Sequence, residues 1–384
     1  FAMLLVSVML VIWFERKLIS DMQNRIGPAM AGPWGILQTL ADGIKLFFKE
    51  DLLPTRADRV VFRLAPYLSL VPAFVAFAIV PVGGDFTGGG DGTVSMFGRS
   101  TFLQVADPPV GVLFFLALSS IAVYGVMLAG WSSGSKYPLL GSVRASAQMI
   151  SYEAALGLAI ATVFLTSGSL STHEIVVGQS ATTWNVLATG IVPFGIFLIA
   201  GTAELNRPPF DLVEAEQELV GGFHTEYSSI RFALFFLSEF MNMITMSAIA
   251  VTLFLGGPAG PIVTQRLAWV WPLFWFFLKV MAFLFTFVWL RATLPRFRYD
   301  QLMDLGWKVL IPTALGWFLL IATLDIAREL GWPTVPVVVI GVLVLWGGAA
   351  LLSGAVRKAR AERLEDAEAD RDERVDTPAG HGEA

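Results

Sequence analysis

The 384-residue chain has no cysteine. It can therefore form no disulfide, no thiolate metal site and no iron–sulfur cluster held by its own residues. Histidine is nearly absent as well: His173, His224 and His381 lie too far apart for a local metal motif. Charge is scarce, with Asp, Glu, Lys and Arg making up only 15% of the chain, and no basic footprint for nucleic acid appears. The formal net charge of −5 misleads, because the segment from Arg357 onward holds nine acids and six bases. No HExxH motif and no nucleophile–base arrangement stands out. The chain has nothing that carries single electrons, so any redox chemistry would need a partner's cofactor.

What the chain does have is apolar sequence. Hydrophobic residues make up 55% of it, with thirty Phe and twelve Trp, and the mean hydropathy is +0.67, which places it among membrane proteins. A span needs about 20 apolar residues. Candidate runs lie near 1–14, 60–81, 108–131, 145–167, 184–203, 232–255, 269–290, 309–324 and 332–352, nine in all. The expected fold is all-α: a polytopic membrane protein of about nine transmembrane helices plus interfacial amphipathic helices, with a transmembrane domain over 1–356 and a charged tail over 357–384. The tail is low in apolar content and reads as a frayed helix or disorder. The first run starts at Phe1 rather than Met, so the chain is expected to lack its first residues. The charged residues ERK follow that run without a small-residue cleavage site, which speaks against a cleaved signal. Of the 26 Lys and Arg, 22 fall on one set of loops, three (Arg99, Arg266, Arg328) on the other, and Lys279 lies inside a span. The positive-inside rule then puts the N-terminus outside and the tail in the cytoplasm.

The outer loops are plain. GGDFTGGGDG (83–92) follows no strand and matches no nucleotide-binding pattern, so it reads as flexible turn. The cytoplasmic loops are richer. WGILQTLADGIKLFFKED (34–51) sets Ile36, Leu37, Leu40, Ile44, Phe47 and Phe48 on one helical face, with Asp42, Lys45 and Lys49 elsewhere. That pattern predicts a helix lying in the membrane interface, either a surface anchor or one wall of an entry for something lipid-soluble. ELNRPPFDLVEAEQELVGGFHTEYS (204–228) carries six acids, Glu204, Asp211, Glu214, Glu216, Glu218 and Glu226, against one base, Arg207. Pro208-Pro209 should end the preceding span. Asp211, three residues before Glu214, resembles a capping box and predicts a short helix there. On that helix Glu214 and Glu218 would form a destabilising i,i+4 pair of like charges. A solvated acidic loop is the usual source of such a run. Interleaved Phe210, Leu212, Val213, Leu219, Val220 and Phe223 point instead to a folded, half-buried element.

Inside the spans, Glu153, Glu239 and Lys279 are costly unless they face protein or water, and Glu204 marks the cytoplasmic end of the fifth run. One reading is a single buried ion pair, Glu239 with Lys279. The other is a hydrated chain of carboxylates along which protons move.

Five segments go further: ERKLISDMQNRIGP (15–28), GILQTLADGIKLFFKE (35–50), RASAQMISYE (144–153), AELNRPPFDLVEAEQELVGGFHTEYS (203–228) and RATLPRFRYDQLMDLGWK (291–308). Together, and in this order, they closely resemble the quinone-site membrane subunit of proton-pumping NADH:quinone oxidoreductase, respiratory complex I. The resemblance spans Glu15 to Lys308. It implies a quinone, ubiquinone or menaquinone, as substrate, and iron–sulfur clusters and FMN held by partner subunits. Those partners would be peripheral-arm subunits at the quinone site and antiporter-like membrane subunits, in a bacterial cell membrane. It implies a tunnel lining of Arg16, Arg25, Asp42, Lys45, Phe48, Arg144, Arg207, Phe210, Asp211 and Phe223, with Arg291, Arg296 and Arg298 as facing cations. It implies a proton or coupling path through Glu153, Glu204, Glu214, Glu216, Glu218, Glu226, Glu239 and Lys279. The chain departs from the family at Ala29-Met30, where a polar Asn-led pair is usual, at Val213 for a frequent Pro, and at His224 for a frequent Asn. The ninth run and the tail exceed the eight-span core of many members. Two competitors remain: the homologous subunit of a membrane-bound hydrogenase or deazaflavin-dependent dehydrogenase, which a different partner set would reveal, and a stand-alone transporter, which should show internal repeats.

Overall fold

The structure is a computed structural model that describes residues 2–86, 90–96, 98–212, 220–262, 269–333, 335–344, 347–348, 350, 354 and 358. Of the expected capping helix, Asp211 and Leu212 are described; the acids Glu214, Glu216 and Glu218 and almost all of the tail lie outside the described residues. The regular structure of the described chain is helical apart from one short hairpin and an isolated bridge, Gly83 with Leu103. Its helices are α1 (Ala2–Met22), α2 (Gln38–Phe48), α3 (Arg59–Ala76), α4 (Gly111–Ser132), α5 (Lys136–Ser167), α6 (Thr172–Ala181), α7 (Asn185–Ala188), α8 (Ile191–Glu204), α9 (Ser229–Phe254), α10 (Val270–Thr293), α11 (Tyr299–Leu305) and α12 (Ile311–Glu329), then α13 (Val335–Val344). A π-helical segment, Gly306–Leu310, joins α11 to α12.

Among the described residues, six helical segments are long and apolar enough to cross a membrane: Arg59–Ile79, Gly111–Ser132, Lys136–Ser167, Ser229–Phe254, Val270–Thr293 and Tyr299–Glu329. The other three apolar runs differ from a plain span for physical reasons. The first belongs to α1, whose 21 residues include Glu15, Arg16, Lys17 and Asp21 near one end. The fifth is broken into α7 and the 14-residue α8 by Gly190, whose φ of 82° suits glycine. The ninth is described continuously only as the short Val335–Val344.

Local chemistry sets several boundaries. Asp58 caps α3 by accepting from the amides of Val60 and Val61 at 3.0 and 3.3 Å. Ser171 caps α6 through the Glu174 amide at 3.2 Å. Gly168, left-handed at φ 68°, closes α5. α8 stops at Glu204, four residues before the Pro208-Pro209 pair.

The chain divides into two units, Phe1–Phe318 and Leu319–Ala384. In the first, α3, α4 and α5 pack side by side, α5 packs on α8, and α9 packs on α3. α9 runs through the centre and is buried along most of its length from Ser238 to Phe254. α1 lies against α9 and α10, and α2 bridges α1 and α9. The apolar core gathers Leu156, Ile160, Phe197, Met241, Phe254 and Phe276, all almost fully buried. Just after the stretch 83–92, expected to be flexible turn, the outer loop forms a two-stranded antiparallel hairpin, β1 (Thr93–Met96) with β2 (Arg99–Phe102). Phe102 of that hairpin packs on the ring of His173, which holds the Asp91 carbonyl at 2.8 Å. This histidine is a structural tie. In the second unit, Gly331 at φ 70° ends α12, and the Trp332 amide donates to Ala327 at 2.8 Å.

Candidate functional site

α1, α2 and α9 line a mainly apolar, open cavity of about 880 Å³. Its walls include Val8 and Ile12 of α1, Ile44 and Phe48 of α2, and Phe236 and Leu237 of α9. α2 has no fully buried residue, as its expected interfacial position requires. Its end is nonetheless fixed: the Ser229 hydroxyl donates to the Leu46 and Lys49 carbonyls at 3.0 and 2.8 Å. The Ser228 hydroxyl donates to Glu50 and accepts from the Leu52 amide. Ser228 and Ser229, where the loop meets α9, thus tie the C-terminus of α2 to the start of α9.

A second cavity of about 590 Å³ shares Ile12, Arg16 and Phe236 with the first and has a different character. Here Glu15, Arg16, Arg25 and Arg291 provide charge. Arg16 stands at the junction, paired with Asp42 of α2 at 2.5 Å, and Gln38 steadies the same carboxylate at 3.3 Å. An apolar entry therefore leads to a cationic end.

Behind that end lies a buried charge network. Arg207 is 3% exposed and Glu15 4%. Arg207 Nη1 reaches Glu15 Oε1 at 3.0 Å, and its Nε lies 3.0 Å from Glu239 Oε1. Arg291 also pairs with Glu15. The Arg207 guanidinium sits 4.5 Å from the centre of the Phe240 ring, a cation–π contact in an apolar setting. One carboxylate, Glu15, is thus shared by two arginines, and one arginine, Arg207, by two carboxylates. Burying such groups costs several kcal/mol per ion unless they compensate one another. Two arginines against two carboxylates balance the charge, and Glu239 and Arg291 keep part of their side chains exposed.

From Glu239 the polar groups continue inward. A small chamber of about 70 Å³ is bordered by Glu239 of α9, Glu204 of α8 and His224 of the turn Gly222–His224. Ser69, Asn206 and Asn242 add polar walls. Such a volume holds a few waters, at roughly 10–15 Å³ each. Glu204 Oε1 accepts from Ser119 at 2.5 Å, while Oε2 is buried without a partner. The neighbouring Ser120 donates to Glu153. Adjacent serines on α4 therefore hold one carboxylate each, Glu204 of α8 and Glu153 of α5. The turn that carries His224 comes close because Gly141 of α5 faces Gly222: a methyl on Gly141 would meet the Gly222 Cα at 2.8 Å.

Of the expected site residues, the structure gathers Glu15's neighbours Arg16, Arg25 and Arg291 around the polar cavity, with Asp42, Lys45 and Phe48 on the apolar one. Phe223 borders the chamber. Others stand apart. Phe210 is a core residue packed on Tyr152 and Phe297, and Asp211 is buried. Arg144 lies over the Tyr299 ring at 5.6 Å. Arg296 is exposed, and Arg298 pairs locally with Asp300 at 3.5 Å; neither borders the two cavities. Glu226 is half-buried in the loop before α9. Glu239 pairs with Arg207 rather than with Lys279. Lys279 instead donates to the carbonyls of Leu255, Gly257 and Ala259 at 2.7, 2.9 and 2.8 Å. That places it at the C-terminus of α9, about 24 Å along the helix from Glu239, where a cation complements the helix dipole. Sequence reasoning missed Glu15. Its signal was present: an acid at the end of an apolar run, beside Arg16.

The family model of NADH dehydrogenase matches residues 1–322. Among curated relatives, the H subunit of NADH-quinone oxidoreductase from Frankia casuarinae is 55% identical over 333 residues, 86% of this chain and 72% of that protein. The protein of the same name from Frankia alni is 53% identical over 378 residues, covering 96% and 80%. The one from Streptomyces avermitilis is 52% identical over 335 residues, covering 86% and 72%.

Proposed function

Because the chain belongs to the NADH dehydrogenase family, as a membrane subunit of an NADH-quinone oxidoreductase, we propose that its paired cavities admit a quinone and that its buried charges couple quinone reduction to proton translocation. The single observation that carries this reading is the run of ionisable groups from the polar cavity inward: the paired charges Arg291, Glu15, Arg207 and Glu239, then Glu204 across the chamber and Glu153 beyond it.

The apolar cavity suits a hydrophobic tail, and its volume lies within the usual range for a small-molecule site. The head group would sit at the cationic end, near Arg16, Arg25 and Arg291. Electrons arrive from cofactors in partner subunits, since this chain offers no cysteine to hold a cluster. Two added electrons leave the head group strongly basic. In a water-poor site, charges about 4 Å apart interact by about 4 kcal/mol, enough to rearrange an ion pair. Negative charge at the head draws Arg291 from Glu15. Glu15 then competes harder for Arg207, whose hold on Glu239 weakens, and Glu239 takes up a proton. The chamber passes that proton toward Glu204, and Glu153, held by the serine next to the one that holds Glu204, is the following acid on the path.

The protein sits in a bacterial cell membrane with its N-terminus outside and its tail in the cytoplasm, which the distribution of Lys and Arg supports. The cavities then lie on the side where peripheral-arm subunits dock, and antiporter-like subunits continue the path. Replacing Glu239 by Gln tests the reading. In membrane vesicles, NADH-driven proton pumping should fail and quinone turnover should drop. Unchanged coupled activity would falsify the path.

A further inference from the structure

We propose that His224 is a proton-carrying residue of this path, bridging Glu239 and Glu204 across the chamber they share. The inference rests on the proposed carboxylate path and goes beyond it by assigning a group that path does not contain. Three observations carry it. First, among the described residues bordering the chamber, the ionisable ones are Glu239, Glu204 and His224 alone. α3, α4 and α5 contribute Ser69, Ala122, Val126 and Met149, none of which titrates, and α9 adds Ser238 and Asn242 besides Glu239. Second, the imidazole packs against two aromatic rings. Its ring meets Phe223 edge-on at 4.7 Å and 82°, and Phe232 at 5.6 Å and 60°. Third, the turn that carries it is seated without slack, because Gly222 approaches Gly141 too closely to admit a Cβ.

Neutral imidazole accepts on one ring nitrogen and donates from the other. The protonated Glu239 gives its proton to one nitrogen, directly or through a chamber water. The N–H on the far side of the ring gives its proton to the Glu204 carboxylate. Glu239 ends as carboxylate, Glu204 as carboxylic acid, and the ring as the other neutral tautomer, which exchange with chamber water resets. Charge and protons balance without any outside reactant. A water-filled chamber with no imidazole could still bridge the two acids, but more slowly.

The test uses the whole complex in membrane vesicles, with His224→Asn and His224→Gln. Both amides keep a donor and an acceptor, and neither can carry an added proton. NADH oxidation by ferricyanide, which bypasses the quinone site, checks assembly and should stay at the wild-type level. Proton pumping should fall about tenfold, less than the ~100-fold typical of a positioned proton carrier, because water still bridges. Its pH dependence between pH 6 and 8, where histidine ordinarily titrates, should flatten. Wild-type pumping rates and pH profile in either variant overturn the proposal. If Glu239→Gln pumps normally as well, the carboxylate path itself falls. If Glu239→Gln is silent while the His224 variants pump normally, only the histidine assignment falls. Should neither amide variant assemble, the wild-type complex decides: pumping that does not change across pH 5 to 8 overturns the proposal.

Discussion

Glu15→Gln removes the shared carboxylate at the head of the charge network while keeping its shape. Glu15 and Arg207 side chains are 5% and 4% exposed and 3.0 Å apart. Deleting one member of so buried a pair costs about 3–5 kcal/mol, because the other charge stays behind unpaired. Arg207 retains Glu239 at 3.0 Å and the Phe240 ring at 4.5 Å, so the loss belongs near the lower bound, about 3 kcal/mol. The Arg291 pair adds little, since that side chain is 34% exposed. About 3 kcal/mol is a roughly 150-fold shift between the ordered network and alternatives. The measurement is a double-substitution cycle with Arg207→Gln, following residual NADH-quinone reduction after graded heating of the purified complex. The two substitutions should be non-additive by about 1–3 kcal/mol. Strict additivity, or heat stability and quinone turnover at wild-type levels in Glu15→Gln alone, would refute the compensation argument.

Three further outcomes follow from other parts of the molecule. Lys279→Met strands three carbonyls at the end of α9; melting of the complex should drop by the equivalent of about 3 kcal/mol, while the assembled fraction keeps its proton-to-electron ratio, and a lost ratio with unchanged melting would put Lys279 in the path. Burial raises the Tyr227 hydroxyl to about 12, so its stabilisation is complete below pH 10 and disappears as pH rises from 10 to 12, because only the unfolded state releases the proton there. Tyr227→Phe should abolish that alkaline loss at a cost of about 1 kcal/mol near neutrality, from its 3.1 Å bond to the Phe62 carbonyl; an unchanged alkaline melting curve would exclude it. Gly141→Val should push the Gly222 turn off α5 for about 1–3 kcal/mol of overpacking and slow quinone-linked pumping; wild-type pumping would show that the turn can move freely.

Much of the architecture was legible in residue order. Long apolar runs cannot leave backbone groups unpaired in lipid, so they fold as helices whatever surrounds them. The interfacial helix before α3 followed from apolar residues at helical spacing, and the charged groups within apolar helices marked Glu153, Glu239 and Lys279 as residues needing partners. Which partners they found was not legible. The chain places Glu239 next in line to Lys279 on consecutive spans, yet α9 runs about 24 Å from one to the other's carbonyl contacts. Arg207, 192 residues from Glu15, meets it because α1 lies against α9 and the loop after α8 turns inward beneath them. Arg291, Arg296 and Arg298 look alike in sequence, but the end of α10 turns only the first toward the cavity.

Sequence by itself determined the helical membrane fold and its family, because periodicity and motif order are properties of residues near one another along the chain. The tertiary structure alone decided which charges compensate which. A buried ion is tolerable only within a few ångströms of its opposite, and that proximity is set by helix packing rather than by distance along the sequence.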